Sequence, residues 1–192
     1  VSGLRKTQFP DGLSTYLGLV NGLDDVRVPA KLALFDCRNN RLAKLALDAD
    51  GFSEIVAGAL AKYGPARIAV IVGTTTSGVA EGERAFRNRN LYTRELPEWF
   101  DFDHTHDYHS LASFVGVYLG LQGPQHTVSA ACASGAKVFV DAVQLISAGL
   151  CDAAVVGGVD SICDMTVRGF NSLQLVAESP CRPFDSRRSG LS

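Results

Sequence analysis

The longest apolar runs in this 192-residue chain, IAVIV at 68–72 and AAVV at 153–156, fall far short of the roughly 18 residues that cross a bilayer. The sequence therefore offers no membrane segment. Basic residues never gather into a stripe, and 18 Lys and Arg are outnumbered by 20 Asp and Glu for a net charge of −2, which excludes the electrostatic footprint of a nucleic-acid binder. No charged stretch followed by an apolar one opens the chain, so nothing directs it to an oxidising compartment, and a cytoplasmic location is expected. Cysteine is sparse: five residues, at 37, 132, 151, 163 and 181, with no C-x-x-C pair, which excludes a zinc ribbon or dithiol redox centre. They are expected as free thiols, with Cys37, Cys151 and Cys163 acting as small buried hydrophobes. There is no short-period repeat and no low-complexity tract.

What is present is a core-forming sequence, 46% apolar and 20% charged, of a length that suggests one domain. Residues 1–37 read as irregular, rich in Gly, Pro and Asp. From Asn40 the apolar positions Leu42, Leu45, Ala46, Ala49, Phe52, Ile55, Val56, Ala59 and Leu60 keep helical spacing, with Gly51 a candidate break and Gly64-Pro65 a stop. ARIAVIVGTTTSG reads as a β-branched strand entering a Gly/Thr/Ser loop, and 81–107 as a charged, irregular surface excursion. SLASFVGVYLGLQGP resumes helical spacing. HTVSAA is a strand candidate, Val138, Phe139, Ala142, Val143 and Ile146 form a helical apolar stripe ended by Gly149, and DAAVVGGVDS is a further buried strand. Strands alternating with helices predict a parallel or mixed sheet covered by helices.

The chemistry centres on TVSAACASGAK, residues 127–137. Cys132 stands between a strand and a helix, where unpaired N–H groups and the positive end of the helix dipole favour a thiolate, the nucleophilic form. Its neighbours Ala131, Ala133, Ser134 and Gly135 are small enough for a sharp turn and for a carbonyl to approach the sulfur. The Cys132 N–H is placed to help hold an oxyanion. The bland alternative is a small residue at a crowded strand–helix contact.

GLQGPQHTVSAACASGAKVFVDAVQLISAGLCDAAVVGGVDS resembles the active-site segment of β-ketoacyl-[acyl-carrier-protein] synthases, condensing enzymes of the thiolase superfamily. VGTTTSG at 72–78 and CRPFDSRRSG at 181–190 resemble flanking pieces of the same family. The resemblance covers most of 38–192 and implies an α/β thiolase-like fold, its N-terminal half-domain built on a mixed five-stranded sheet covered by helices. It implies that residues 1–192 are that N-terminal half, without the family's first strand and without the C-terminal half. Cys132 would accept an acyl group from a carrier-protein phosphopantetheine arm, and malonyl-carrier protein would then condense with it after losing CO2. Two histidines, a lysine and a second oxyanion donor that the family uses would lie in the C-terminal half. The implied synthase needs no cofactor of its own, has acyl carrier protein as partner, and forms a homodimer or a heterodimer with a homologous subunit. Fatty acid, polyketide or aryl-polyene-type biosynthesis would be its setting, with TTTSG, THDYHSLASF and GLCDAAVVGGVDS leaning to the polyene type.

Phe170 in RGFNS matches a family position lining the acyl pocket, and Thr74 and Ser77 are expected near the same cavity. His104, His106 and His109 in DFDHTHDYHS have spacing compatible with a metal, but no further Cys or His cluster completes a site, and a polar loop is the better reading. His126 reads as structural. Arg84, Arg87, Arg89 and Arg94 are read as a solvated charged loop, with docking of an acidic carrier protein as the alternative. Two other classes stand against the condensing enzyme: a non-catalytic partner subunit resembling a chain-length factor, which Cys132 argues against, and an unrelated cysteine hydrolase, which lacks an evident base.

Overall fold

The computed structural model describes residues 3–192. It divides into two compact units rather than the one domain that length suggests: residues 3–22 with Ile162–Ser192, and Leu23–Ser161.

The larger unit is built on a parallel sheet. Strand β3 (Ile68–Gly73) lies between β4 (Gln125–Val128) and β5 (Ala153–Gly158), in the registers Val70↔Gln125 and Ile68↔Ala153. All six residues of β3 are buried, as an uninterrupted β-branched run demands when both faces are covered. Val70 and Val72 point to a core with Leu111, Phe114, Val115, Ala43, Leu47 and Val56. These come from α4 (His109–Leu119), α1 (Arg38–Leu47) and α2 (Phe52–Tyr63). Ala69 and Ile71 point the other way, onto Val138 and Ala142 of α5 (Ser134–Ser147). Full burial of a side chain such as Ile71 contributes about 1.5–3 kcal/mol.

The apolar spacing over 42–60 is two helices, and Gly51, at φ +72°, is the break between them. The region 81–107, expected to be irregular, opens with a helix, α3 (Val79–Arg87), that buries Gly82 and Ala85; its many charges mask the short apolar face. The α5 stripe is only half inside. Val138 and Ala142 are buried, whereas Phe139, Val143 and Ile146 are exposed.

The smaller unit holds an antiparallel hairpin, β1 (Leu4–Gln8) with β2 (Ser14–Gly18), and the helix α6 (Asp164–Ser172). The hairpin replaces the irregular segment expected here. Its turn is closed by the Phe9 N–H on the Leu13 carbonyl at 2.8 Å, and the buried Thr15 hydroxyl donates to the Ala177 carbonyl at 3.0 Å. Arg168 of α6 pairs with Asp11. Five strands are therefore present among the described residues, divided between a parallel three-stranded sheet and a separate hairpin instead of one mixed sheet. The reason lies in the strands: LRKTQ and STYLG are too polar to be buried on both faces, and the short connection between them forces antiparallel pairing. The α/β class, with helices over a parallel sheet, stands.

Candidate active site

Three chain segments converge at the C-terminal end of the parallel sheet. The first is the turn after β4. Ala131 takes φ +48°, a conformation that non-glycine residues adopt rarely and at a cost, and Cys132 follows with an exposed, free thiol. The Ala133 N–H donates to the Ala130 carbonyl at 3.0 Å and the Ser134 N–H to the Ala131 carbonyl at 3.1 Å. The Ser134 hydroxyl closes the turn from inside, accepting from the Ala130 N–H at 2.8 Å and donating to the Ala131 carbonyl at 2.7 Å. Ala133, the residue before α5, brings no side-chain cap, so the dipole end of a 14-residue helix lies beside the thiol.

The second segment is the floor. A Cβ on Gly73, the last residue of β3, would meet the Ser134 carbonyl carbon and oxygen at 2.9 Å; one on Gly158, the last residue of β5, would lie 3.4 Å from the Gly135 Cα. Backbone rests on backbone here. The small residues around Cys132 thus serve two ends: they leave the sulfur open on one side and let the helix start sit directly on the strand ends on the other.

The third segment is the Thr-rich loop after β3. One oxygen of Asp160, just beyond β5, accepts from the Thr75 and Thr76 N–H groups at 2.7 and 3.0 Å and from the Thr74, Thr75 and Thr76 hydroxyls at 3.0, 3.2 and 3.1 Å. Partial burial pushes the Asp160 carboxyl upward, but the two N–H groups and the hydroxyls outweigh it and hold it below the usual carboxylate value. The Ser161 N–H adds a bond to the Thr76 hydroxyl at 3.0 Å.

Thr74 and Ser77, expected at an acyl cavity, lie inside this network. Thr74 is wholly buried, and the Ser77 hydroxyl donates to the Asp107 carbonyl at 2.9 Å. Their hydroxyls brace the loop. Phe170 is half-buried on α6, in the smaller unit. Asp160 escaped the sequence reading because its partners lie 84 to 86 positions away in the chain. The signal in hindsight is a lone carboxylate directly after a Gly-Gly strand end, paired with a loop of consecutive threonines.

Three of the other four cysteines behave as expected of core thiols, and Cys181 is half-buried. Cys37, Cys151 and Cys163 are buried, and burial, aided by the nearby Glu81 charge, pushes the Cys37 thiol up to about 11. His104 bonds Asp101 at 2.9 Å, edge-on to Phe35. His106 packs between Phe100 and Phe102. No group of three or more His, Cys, Asp or Glu able to hold a metal occurs among the described residues. His126 pairs with Asp141 at 3.3 Å, and Asp141 also holds Lys137. The arginine loop is no basic patch: Arg84 stacks on Trp99 and pairs with Glu81. Arg87 pairs with Glu83, and residues 81–103 hold six carboxylates to four arginines. No helix among the described residues is long and apolar enough to cross a membrane.

Comparison with known proteins gives these features a context. A family model described as "Beta-ketoacyl synthase, N-terminal domain" matches residues 43–192. Nodulation protein E of Rhizobium leguminosarum bv. trifolii is 36% identical over 81 residues, 42% of this chain and 20% of that protein. A putative polyketide beta-ketoacyl synthase 1 of Streptomyces halstedii is 30% identical over 143 residues, 66% of this chain and 33% of that protein. Among solved structures, a ketosynthase in complex with its chain length factor from Xenorhabdus doucetiae superposes with a TM-score of 0.83 at 33% identity, covering 98% of this chain and 47% of that one. The chain spans about half the length of this structural relative, and the matched segments span a fifth to a third of the curated ones.

Proposed function

This chain belongs to the β-ketoacyl synthase family, and we propose that it carries the acyl-accepting nucleophile, Cys132, of a 3-oxoacyl-[acyl-carrier-protein] synthase. The observation that carries this reading is an exposed thiol on a strained turn beside a helix N-terminus.

In the first step the Cys132 sulfur attacks the carbonyl carbon of an acyl thioester on a phosphopantetheine arm. The carbonyl oxygen takes the charge, which the Cys132 N–H and the α5 dipole stabilise. Collapse breaks the bond to the pantetheine sulfur, which leaves as thiolate and takes up the proton that Cys132 gave away. In the second step malonyl thioester loses CO2, the electron pair of the broken C–C bond attacks the Cys132 thioester, and the cysteine thiolate departs. The decarboxylating groups of the second step are not assigned among residues 1–192. Acyl carrier protein is the proposed donor and acceptor partner, in fatty acid, polyketide or aryl-polyene-type synthesis. A homologous ketosynthase subunit is the proposed dimer partner, supported by the Xenorhabdus doucetiae relative solved as a ketosynthase in complex with its chain length factor.

Incubation of the intact protein with acyl-carrier protein, followed by peptide mass spectrometry, tests the reading. Acylation of Cys132, abolished by Cys132→Ala, is expected. The second reading, a chain-length-factor-like subunit, predicts no acylation but restored activity of a separately supplied ketosynthase partner.

A further inference from the structure

The Ser134 side chain stands out within the site because it is almost fully buried, at 4% exposure, yet touches nothing that reacts. Its hydroxyl joins the two residues before the nucleophile: it accepts from the Ala130 N–H at 2.8 Å and donates to the Ala131 carbonyl at 2.7 Å. Between these two bonds the chain passes through Ala131 at φ +48°. A residue with a Cβ stays in that conformation only when its surroundings over-determine it. The Ser134 N–H, which also reaches the Ala131 carbonyl, at 3.1 Å, is the other constraint. The serine cannot drift away, because Gly73 packs against its backbone and Cβ from below.

We propose that Ser134 is a positioning residue: its hydroxyl clamps Ala131 in the left-handed conformation and thereby fixes how the Cys132 sulfur and amide are presented to an incoming thioester. The clamp works through two bonds to a single oxygen. Losing them leaves the Ala130 N–H without its partner and lets Ala131 return to negative φ, which re-aims the next residue. The role rests on Cys132 being the acyl acceptor, and it differs from that of the thiol itself, since Ser134 meets no substrate atom.

Removing the hydroxyl and then removing the need for it separates clamp from core packing. In the intact protein, Ser134→Ala is expected to lower the rate of acyl transfer to Cys132 by about a hundredfold, the usual penalty for a reacting group displaced by about an ångström. Adding Ala131→Gly to that variant makes positive φ acceptable without a clamp and should recover the rate to within about tenfold of the parent. Recovery through glycine at a different position is not expected of a residue that merely fills space. Iodoacetamide, which needs only the sulfur, is the second probe, read at Cys132 by peptide mass spectrometry. If the parent protein accepts no acyl group, the condensing reading fails and the clamp is judged on alkylation alone. There Ser134→Ala should change the Cys132 rate by about tenfold and the double variant should reverse the change. A folded Ser134→Ala protein matching the parent with both probes would overturn the clamp, as would a double variant no better than the single one. If Ser134→Ala fails to fold, recovery of a folded protein by Ala131→Gly supports the clamp, and its failure overturns it.

Discussion

Gly73 faces Ser134 so closely that a methyl group on the glycine would lie 2.9 Å from both the carbonyl carbon and the oxygen of the serine. The last residue of the central strand thus sets the height at which the nucleophile's helix begins, and any side chain there lifts the Cys132 turn off its floor.

Gly73→Ala is therefore expected to destabilise the protein by about 1–3 kcal/mol, the range for overpacking, and to cut acyl transfer to Cys132 by about a hundredfold. Gly158→Ala is the control, since its Cβ would make an ordinary 3.4 Å contact with Gly135. Thermal melts and acylation rates of the two variants check this; equal losses at both positions would contradict it.

Thiol chemistry should be selective. Cys132 is exposed, while Cys37, Cys151 and Cys163 are buried and burial pushes Cys37 up to about 11 and Cys151 upward as well. At pH 8, limiting iodoacetamide should modify Cys132 well before those three, and denaturant should equalise them. Peptide mass spectrometry over a time course gives the order.

Asp160 makes the loop sensitive to acid. Its folded pKa is depressed below 3.8, so its contribution is fully present above the unfolded value and is lost as pH falls through the folded one. Asp160→Asn should lower the melting temperature at pH 7, and its deficit relative to the parent should shrink below about pH 3.8. Melting curves from pH 2.5 to 7 measure it; a deficit that grows on acidification would reverse the assignment.

Phe170→Ala tests the acyl-pocket role that the family resemblance implies for this position. That role predicts a shift of Cys132 acylation toward longer acyl thioesters, a preference measurable by competition between chain lengths. Lower stability with unchanged chain preference would assign Phe170 to core packing alone.

Much of the larger unit was legible because its signals are local. The run IAVIV at 68–72 can only be a buried strand or a short helical piece, and the adjacent Thr/Ser/Gly loop decides for the strand. Gly51 interrupts one apolar spacing and Gly120 ends another, and both adopt positive φ. The β1–β2 hairpin was hidden because LRKTQ is polar and mostly exposed and the one buried residue of STYLG is a threonine, leaving no apolar period to read. Helix α3 was hidden by the charges of VAEGERAFR. Exposure of Phe139 and Val143 on α5 was equally beyond reach, since periodicity reports which face is apolar and not what covers it. At the site, Cys132 was readable from its small neighbours, whereas the contacts of Asp160 depend on a sheet register that no local pattern encodes.

The exposure of Cys132 also has a bearing on handling. An accessible sulfur beside a helix dipole meets peroxide before any shielded thiol does, and its first oxidation product, a sulfenic acid, is reversible while the next is not. Samples kept without reductant should age at this one atom, losing competence while circular dichroism and melting behaviour stay unchanged. Shelf life would then be set by redox history rather than by unfolding.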